Sequence, residues 1–321
     1  MSAWQPTADL ARLQQRAALL AAIRAFFAAR GVLEVETPAL SAAATTDPQI
    51  ESFQCMAQVA GQMRPYYLHT SPEFAMKRLL AAGSGAIYQI ARVFRQGERG
   101  RYHNPEFTLL EWYRPDVSLT ELMAEVAALL LPLLPHFDHS ESISYAAAMQ
   151  RYVGVDPHTA SIETLATCCR DHGINPPDLG DDRDGWLALL LSHLIEPQLG
   201  QGGGLTFLYD FPASQAALAQ IRPGDPPVAE RFELYGAGIE LANGFHELTD
   251  ATEQQQRFIA DQQQRVQQQR PALPYDTHLI AALQQGLPDS CGVAVGIDRL
   301  LLLASGAESL DQVIAFPFDR A

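Results

Sequence analysis

The chain has 321 residues, of which 47% are apolar and 18% are charged, so it can bury a large core and is not a disordered polypeptide. It carries 37 acidic and 22 basic residues, for a formal net charge of −15, which argues against a large polyanion as its main partner. Lys77 is the only lysine, so nearly all of the positive charge is arginine.

The cysteines and the apolar runs indicate the compartment. The four cysteines show neither a disulfide framework nor metal-ligand spacing, which predicts free thiols. Three arginines interrupt the N-terminal apolar run, and no segment reaches the length of an uncharged membrane span. We therefore expect a cytoplasmic protein with no membrane partner.

The first predicted element is an amphipathic helix from about Asp9 to Ala29, because its apolar residues recur at helical spacing and Gly31 follows. The next segment, VLEVETPAL, alternates like a strand and ends at Pro38, which suits a sheet edge or a subunit interface. Residues 41–64 lack a clear period and are expected to be loop with short extended pieces.

A second helix is predicted after a short strand that ends at His69. Ser71 is a plausible N-cap and Pro72 suits the first helical position, so the helix carries Glu73 and Lys77.

The segments IYQIARVF and EFTLLEWY predict two strands joined by a charged loop over residues 86–113. Because side chains alternate along a strand, Phe107, Leu109, Glu111 and Tyr113 share one face. An aromatic ring, a carboxylate and a phenol on one face can line a ligand site, although a hairpin that only packs on a core remains the alternative.

A capping pattern of Ser118 and Glu121 opens the next helix, and residues from about 117 to 204 are expected to form a helical insertion. Strands resume at LTFLYDFP, and residues 231–248 predict a second hairpin. A two-residue turn at Ala237 and Gly238 would oppose Tyr235 to Glu240 and place Glu233 on the same face.

The C-terminal part is predicted to contain a glutamine-rich helix over residues 253–270, with Phe258, Ile259 and Val266 as its apolar stripe. The end, GVAVGIDRL, predicts a strand with a nearly bare face of Gly292, Ala294 and Gly296, where a ligand or a packed backbone could approach. Arg299 would follow near a helix start, a position that favours an anion such as a triphosphate.

Two carboxylates on one hairpin face, Glu233 and Glu240, suit Mg²⁺ that also binds polyphosphate oxygens, although a solvated hairpin face would look the same.

Three segments, LEVETPAL, VFRQGERGRYHNPEFTLLEWY and GVAVGIDRL, resemble in order the signature motifs of class II aminoacyl-tRNA synthetases. TSPEFAMKRL and FELYGAGIELANGFHEL resemble the lysyl branch. The resemblance implies an α+β fold, with an antiparallel sheet flanked by helices, a homodimer built partly on the first motif, and amino-acid activation by ATP with Mg²⁺.

The resemblance also implies roles for single residues. Arg95 and Arg299 would be catalytic through their contacts with the phosphates, and Glu233 and Glu240 would bind the metal ion. The ATP-binding residues would be Arg95, Glu98, His103, Asn104, Phe107, Glu240 and Arg299. The amino-acid substrate would contact Ser71, Glu73, Glu111, Tyr113, Asn243, Glu247, Ala294 and Gly296.

Departures from the lysyl synthetases refine the expected function. The first motif begins almost at once, which leaves no room for an anticodon-binding domain, so residues 1–321 are expected to form one catalytic domain and tRNA is an unlikely acceptor. Ala294 stands where lysyl synthetases have glycine, and Gln96-Gly97-Glu98 replaces the usual end of the second motif. Ala294 and ELANGFHEL resemble instead a truncated branch of the family that activates (R)-β-lysine and transfers it to a lysine of elongation factor P.

Two alternatives remain open at this point. One is a tRNA ligase or a free amino-acid ligase on the same core, and the other is a non-catalytic paralogue that binds amino acids.

Overall fold

The computed structural model describes residues 4–177 and 179–321. Within these ranges the chain forms nine α-helices: α1 (Leu10–Ala28), α2 (Glu73–Ala81), α3 (Leu119–Leu130), α4 (Tyr145–Tyr152), α5 (Ile162–Asp171), α6 (Arg183–Leu190), α7 (Ala251–Gln267), α8 (Thr277–Gln285) and α9 (Ile297–Ser305).

The same described residues form twelve strands: β1 (Leu33–Glu34), β2 (Leu40–Ser41), β3 (Gln54–Val59), β4 (Gln62–Leu68), β5 (Ile87–Phe94), β6 (Glu106–Pro115), β7 (His139–Ser144), β8 (Gly204–Pro212), β9 (Ile221–Arg222), β10 (Val228–Gly236), β11 (Ile239–His246) and β12 (Ser290–Gly296). The chain divides into two compact units. The first unit is Met1–Val117 with Leu248–Ala321, and the second unit is Ser118–Glu247.

The first unit contains the strands β1, β5, β6 and β12, hydrogen-bonded in that order. The β5–β6 and β6–β12 pairs are antiparallel, and the short β1 runs parallel to β5. Helix α1 covers this layer: the Phe27 ring stacks on Tyr88 with centroids 4.4 Å apart and meets the edge of Trp112 at 5.3 Å. The predicted first helix and first hairpin are therefore confirmed.

One prediction about the early chain is confirmed and one needs correction. Residues 41–64 are loop with short extended pieces, as expected: the chain is irregular from Ala42 to Phe53, and β3 then pairs with β4 around Ala60 and Gly61, both with positive φ. The segment VLEVETPAL forms only β1 and β2. Its ladder stops early because Val35 donates the last hydrogen bond to Tyr88 before the chain turns toward Pro38.

Helix α7 forms where the glutamine-rich segment was expected, but its buried face is different. Phe258 is buried, whereas Ile259 is 40% and Val266 is 58% exposed. Gln254 and Arg265 are buried in their place. The predicted apolar stripe is wrong because polar partners elsewhere in the first unit satisfy Arg265, and no local pattern reveals them.

The second unit contains β11, β10, β8 and β7 in that order, with β9 paired to β10. Its core is formed by buried residues of α4, α5, α6, β8 and β10. Helix α3 begins with the predicted capping box of Ser118 and Glu121. The segment 117–204 carries helices α3 to α6 as expected, but it also contains β7, parallel to β8, which the prediction omitted.

Along the described part of the chain, no helix combines the length and apolarity needed to cross a membrane. All four cysteines are free thiols.

Candidate active site

The register between β6 and β12 joins two faces that the sequence described separately. Tyr113 lies opposite Gly292, Glu111 opposite Ala294, and Leu109 opposite Gly296. Because directly opposed residues of an antiparallel pair point to the same side, the bare face of β12 lies next to the face of Glu111 and Tyr113. The missing side chains leave room beside these two polar groups.

Glu111 and Tyr113 form a buried polar pair on this face. The Tyr113 hydroxyl donates to Glu111 Oε1 at 2.6 Å, and both residues are buried. A carboxylate that is removed from water in this way attracts a cationic group, because burying a charge is costly unless an opposite charge compensates it. The pair suits the ammonium group of a small substrate.

Phe107 and Arg95 lie at the loop end of the same hairpin. The Arg95 guanidinium carbon is 5.1 Å from the centroid of the half-buried Phe107 ring, and its Nε donates to the Thr70 carbonyl at 3.4 Å. Glu98 is 3.9 Å from Arg95, and the turn between them uses Gly97 at φ +85°. A cation above an aromatic plate is an arrangement that can hold the base and a phosphate of a nucleotide.

Arg299 and His103 meet at the beginning of α9. Arg299 Nε donates to the Tyr102 carbonyl at 3.1 Å, and its Nη2 is 2.8 Å from His103 Nε2. The N-cap of α9 is Gly296, which has no side chain to accept hydrogen bonds from the first N–H groups of the helix. Open N–H groups and a guanidinium at one helix start favour an anion. The predicted position of Arg299 is confirmed.

A buried ion pair that the sequence analysis missed fixes this helix to β6. Asp298 accepts from Arg16 Nη1 at 2.5 Å and from the Thr108 backbone N–H at 2.7 Å. Arg16 also donates to the Thr108 hydroxyl at 2.5 Å. The sequence shows an aspartate directly before Arg299, but it does not show that the partner of this aspartate is Arg16, which is far away in the sequence.

Glu73 and Lys77 form an ion pair on α2, with Nζ and Oε1 2.6 Å apart. Ser71 Oγ accepts from the Glu73 backbone N–H at 3.3 Å. The helix itself begins one residue later than predicted, with Pro72 as its N-cap, because the Ser71 side chain bonds from outside the helix.

Asn104 is buried and bonded to backbone on both sides. Its Nδ2 donates to the Glu106 carbonyl at 2.6 Å, and its Oδ1 accepts from the Phe318 N–H at 3.0 Å. The side chain therefore shapes the loop before β6, and a contact with ATP stays a prediction.

In the second unit, the predicted hairpin turn is confirmed. Ala237 and Gly238 both have positive φ, and Tyr235 lies opposite Glu240. The ladder has a bulge after Leu234, so Glu233 lies opposite Asn243. An extra residue in β11 lets Glu240 and Asn243, which are three positions apart, point to the same side.

Glu233 accepts hydrogen bonds from several neighbouring side chains of this hairpin. It accepts from Arg231 Nη2, from the Tyr235 hydroxyl at 2.5 Å and from Asn243 Nδ2 at 3.4 Å. Burial raises the pKa of the Glu233 carboxyl, Arg231 opposes that shift, and the charge of Glu240 adds to it. Burial and the charge of Glu233 likewise raise the pKa of Tyr235.

Glu233 and Glu240 fit a magnesium ion, since both offer hard carboxylate oxygens and repel each other without a cation. Asn243 Oδ1 is also buried beside Glu233 without a hydrogen-bond partner. Among residues 4–177 and 179–321, no group of three or more His, Cys, Asp or Glu residues could hold a metal by itself. A cation here would therefore take its remaining ligands from a substrate and water.

Glu247 is buried at the end of the second unit. It pairs with Ala219 in an isolated bridge, and its carbonyl accepts from Gln220 Nε2 at 3.0 Å. The neighbouring His246 is 2.6 Å from Glu230 Oε2 through Nδ1.

Residues 6–320 match the family model described as tRNA synthetases class II (D, K and N). The chain belongs to this class II synthetase family. Because the family model covers nearly all the described residues, the antiparallel strands flanked by helices are those of the class II catalytic fold.

This class II synthetase is also similar to curated proteins along its whole length. The "Elongation factor P--(R)-beta-lysine ligase" of Edwardsiella ictaluri is 51% identical over 324 residues, which cover 100% of this chain and 99% of that protein. The proteins with the same name from Salmonella arizonae and Enterobacter sp. are 52% and 51% identical over 321 residues, with 99% of this chain and 98% of each protein covered. The class II synthetase described here is thus a ligase.

Proposed function

We propose that this protein activates (R)-β-lysine with ATP and transfers the β-lysyl group to a lysine side chain of elongation factor P. The observation that carries the proposal is the 51% to 52% identity with ligases of that name over almost the whole of both chains. The presence of a matching set of candidate side chains supports activity rather than a non-catalytic amino-acid-binding role.

In the first unit, Arg95, His103 and Arg299 are the proposed phosphate contacts, and Phe107 is the proposed stacking surface for adenine. The proximity of Arg95 to Phe107 and of Arg299 to His103 supports these roles. Glu98 and Asn104 lie on the loop that joins the two groups and are proposed to complete the nucleotide contacts.

Glu73 and Glu111 are proposed to bind the amino group at the reacting end of the amino acid. Ser71, Ala294 and Gly296 are proposed to shape that part of the site. Tyr113, Asn243 and Glu247 are proposed to bind the distal ammonium. Carboxylates, a phenol and an amide oxygen suit a substrate with two ammonium groups.

Glu233 and Glu240 are the proposed ligands of Mg²⁺, which supplies positive charge that neutralises polyphosphate oxygens. The contacts from Arg231 and Tyr235 orient the Glu233 carboxylate.

The proposed reaction needs no protein nucleophile. A carboxylate oxygen of β-lysine attacks the α-phosphorus of ATP, and pyrophosphate leaves. The neutral ε-amine of the acceptor then attacks the carbonyl carbon, the bond to AMP breaks, and a proton passes to solvent. The arginines accelerate the first step by positioning the triphosphate and by stabilising charge on the α-phosphoryl group.

The decisive experiment compares α-lysine and (R)-β-lysine in ATP–pyrophosphate exchange, then offers purified elongation factor P or tRNA as acceptor. We expect preferential exchange with β-lysine and transfer to elongation factor P only. Transfer to tRNA would favour the competing synthetase activity, and binding without exchange would favour the non-catalytic paralogue.

The variant Arg299→Ala tests the phosphate contacts. We expect exchange to fall at least about 100-fold, because removal of one charge-stabilising donor in an active site costs about 10²–10³ in rate. Arg64→Ala, an exposed arginine on β4, is the control and keeps full exchange. Full exchange by Arg299→Ala, with an unchanged thermal transition, would refute this role.

We also propose that the protein is a homodimer through its first motif. Leu33 is 56% and Leu40 is 40% exposed, although both belong to short strands of the first unit. Apolar residues at such an edge suit a contact with a second copy.

A further inference from the structure

The lysine content of the chain bears on where the activated amino acid can go. Lys77 is the only lysine among 22 basic residues, and its side chain is 1% exposed. All other long cationic side chains are arginines. A guanidinium remains charged in proteins, so it does not act as an acyl acceptor as a neutral amine does.

Lys77 is further restrained by its ion pair. Its Nζ donates to Glu73 Oε1 at 2.6 Å, one helical turn away on α2. In this ion pair the nitrogen is an ammonium group, whose lone pair is bound to a proton. Burial also denies a carbonyl carbon access to the nitrogen.

An acyl adenylate is a mixed anhydride that reacts with any accessible neutral amine. The attack forms a C–N bond, breaks the C–O bond to the phosphate, and releases AMP and a proton. Amines on the protein that makes the adenylate compete most strongly, because they lie closest to its source. An exposed lysine on this protein would therefore be acylated by the adenylate and would consume activated amino acid intended for the acceptor.

We infer that the protein is inert toward lysine acylation by its own adenylate, because its surface offers no ε-amine and its one ε-amine is sequestered in the Lys77–Glu73 ion pair. The inference rests on the proposed adenylate-forming function. Acceptor selectivity then depends partly on the removal of competing nucleophiles from the protein itself, in addition to any recognition of the acceptor.

Arg78→Lys gives a matched variant, because Arg78 is the exposed neighbour of Lys77 on the same helix. Arg64→Lys places a second exposed lysine on β4. Neither arginine belongs to the proposed catalytic or binding residues.

The first measurement does not depend on the proposed function. The folded proteins are treated with the N-hydroxysuccinimide ester of acetic acid, and lysine modification is located by peptide mapping. We expect the introduced lysines to react at least about tenfold faster than Lys77, which reacts only after unfolding in urea. Reaction of Lys77 in the folded protein at the rate of an exposed lysine overturns the inference.

The second measurement uses turnover. Each protein is incubated with ATP, Mg²⁺, (R)-β-lysine and pyrophosphatase without acceptor, and only ε-acylation is counted. We expect an unmodified Lys77 in every protein and acylation of the introduced lysines. Acylated Lys77, or introduced lysines that stay unmodified while pyrophosphate exchange is normal, overturns the inference. A wild-type protein without exchange refutes the proposed function instead, and the acetylation experiment then decides whether Lys77 is sequestered.

Discussion

Ala294 occupies the position on β12 directly opposite Glu111, where it packs against the small cluster of Ala91, Val93 and Leu109. Its methyl group is thus the side-chain bulk on the stretch of this strand face between Gly292 and Gly296. A single methyl group at such a place can shift the reacting end of a substrate relative to its binding carboxylate.

The variant Ala294→Gly should weaken discrimination against α-lysine. We expect the ratio of kcat/KM for β-lysine to that for α-lysine to fall about 10-fold, since one methylene in a pocket is worth about 1–3 kcal/mol. Pyrophosphate exchange with both amino acids measures the ratio. The control is Ala91→Gly, which removes a methyl group of β5 from the same cluster and should leave the ratio of kcat/KM values unchanged. An unchanged ratio in Ala294→Gly would mean that this residue does not shape the pocket.

His69 should make stability depend on pH. Burial lowers its pKa below the usual 6.5, although the contact of Nε2 with the Arg92 carbonyl at 2.6 Å opposes the shift. In the folded protein the His69 side chain therefore binds a proton only at a lower pH than in the unfolded chain, where it does so near pH 6.5. This contribution to stability is complete above that pH and is lost as the pH falls toward the folded pKa.

Urea denaturation between about pH 5 and 7 tests this contribution. The variant His69→Gln should show a flatter dependence of the free energy of unfolding on pH than the wild type. The control is His278→Gln, which replaces an exposed histidine of the same unit. Equal slopes for wild type and His69→Gln would contradict the assignment.

At the scale of elements, Arg265 links helix α7 to the loop between β5 and β6. Arg265 Nη2 donates to both carboxylate oxygens of Glu51 at 2.9 Å, and Nη1 donates to the Asp47 and Ile50 carbonyls. The Glu51 carbonyl in turn accepts from the Gln96 N–H at 2.8 Å. A buried guanidinium thus links a helix to the loop that follows Arg95.

Replacement of this guanidinium should affect both stability and nucleotide binding. Arg265→Met is expected to lower the free energy of unfolding by about 3 kcal/mol, because it removes the guanidinium donor from Glu51 and from three backbone carbonyls, those of Asp47, Ile50 and Pro271. It should also raise KM for ATP more than it lowers kcat. Arg257→Met breaks the partly exposed pair of Arg257 and Glu253 on the same helix and should cost less than Arg265→Met, because this pair is closer to solvent. Urea denaturation measures the free energy of unfolding, and exchange kinetics measure KM and kcat. Equal losses of stability in Arg265→Met and Arg257→Met would contradict a supporting role for Arg265.

The elements that the sequence predicted best are those specified by local signals. The capping residues of α3, the turn at Ala237 and Gly238, and the strand alternation of β5 and β6 all act within a few residues. Strand β7 was missed because its residues, HSESIS, lack an apolar alternation and its partner β8 lies far along the chain.

The candidate site was predictable to a similar extent. Motif residues such as Arg299 could be placed from the sequence, because a glycine-rich strand leads into its helix. Two other features could not be predicted. The pairing of Asp298 with Arg16 is a contact between residues far apart in the sequence. The bulge that aligns Asn243 with Glu240 depends on the register between β10 and β11.

At the scale of the whole molecule, the proposed dimer can be tested through its exposed leucines. The double variant Leu33→Glu, Leu40→Glu should sediment as a monomer at concentrations where the wild type sediments as a dimer, because each buried leucine contributes about 1.5–3 kcal/mol per subunit. Met56→Glu with Met63→Glu changes two exposed residues of the β3–β4 hairpin and should leave the dimer intact. Identical sedimentation of the leucine variant and the wild type would place the interface elsewhere.

The β11 bulge makes the shared orientation of Glu240 and Asn243 depend on strand register as well as on residue identity. The two residues are three positions apart, so they point to the same side only because Leu241 is an extra residue between them. Loss of Leu241 would leave them two positions apart in a regular ladder, where they would still share a side. A slip of β11 by one residue that closed the bulge with Leu241 retained would instead turn Asn243 away from Glu240.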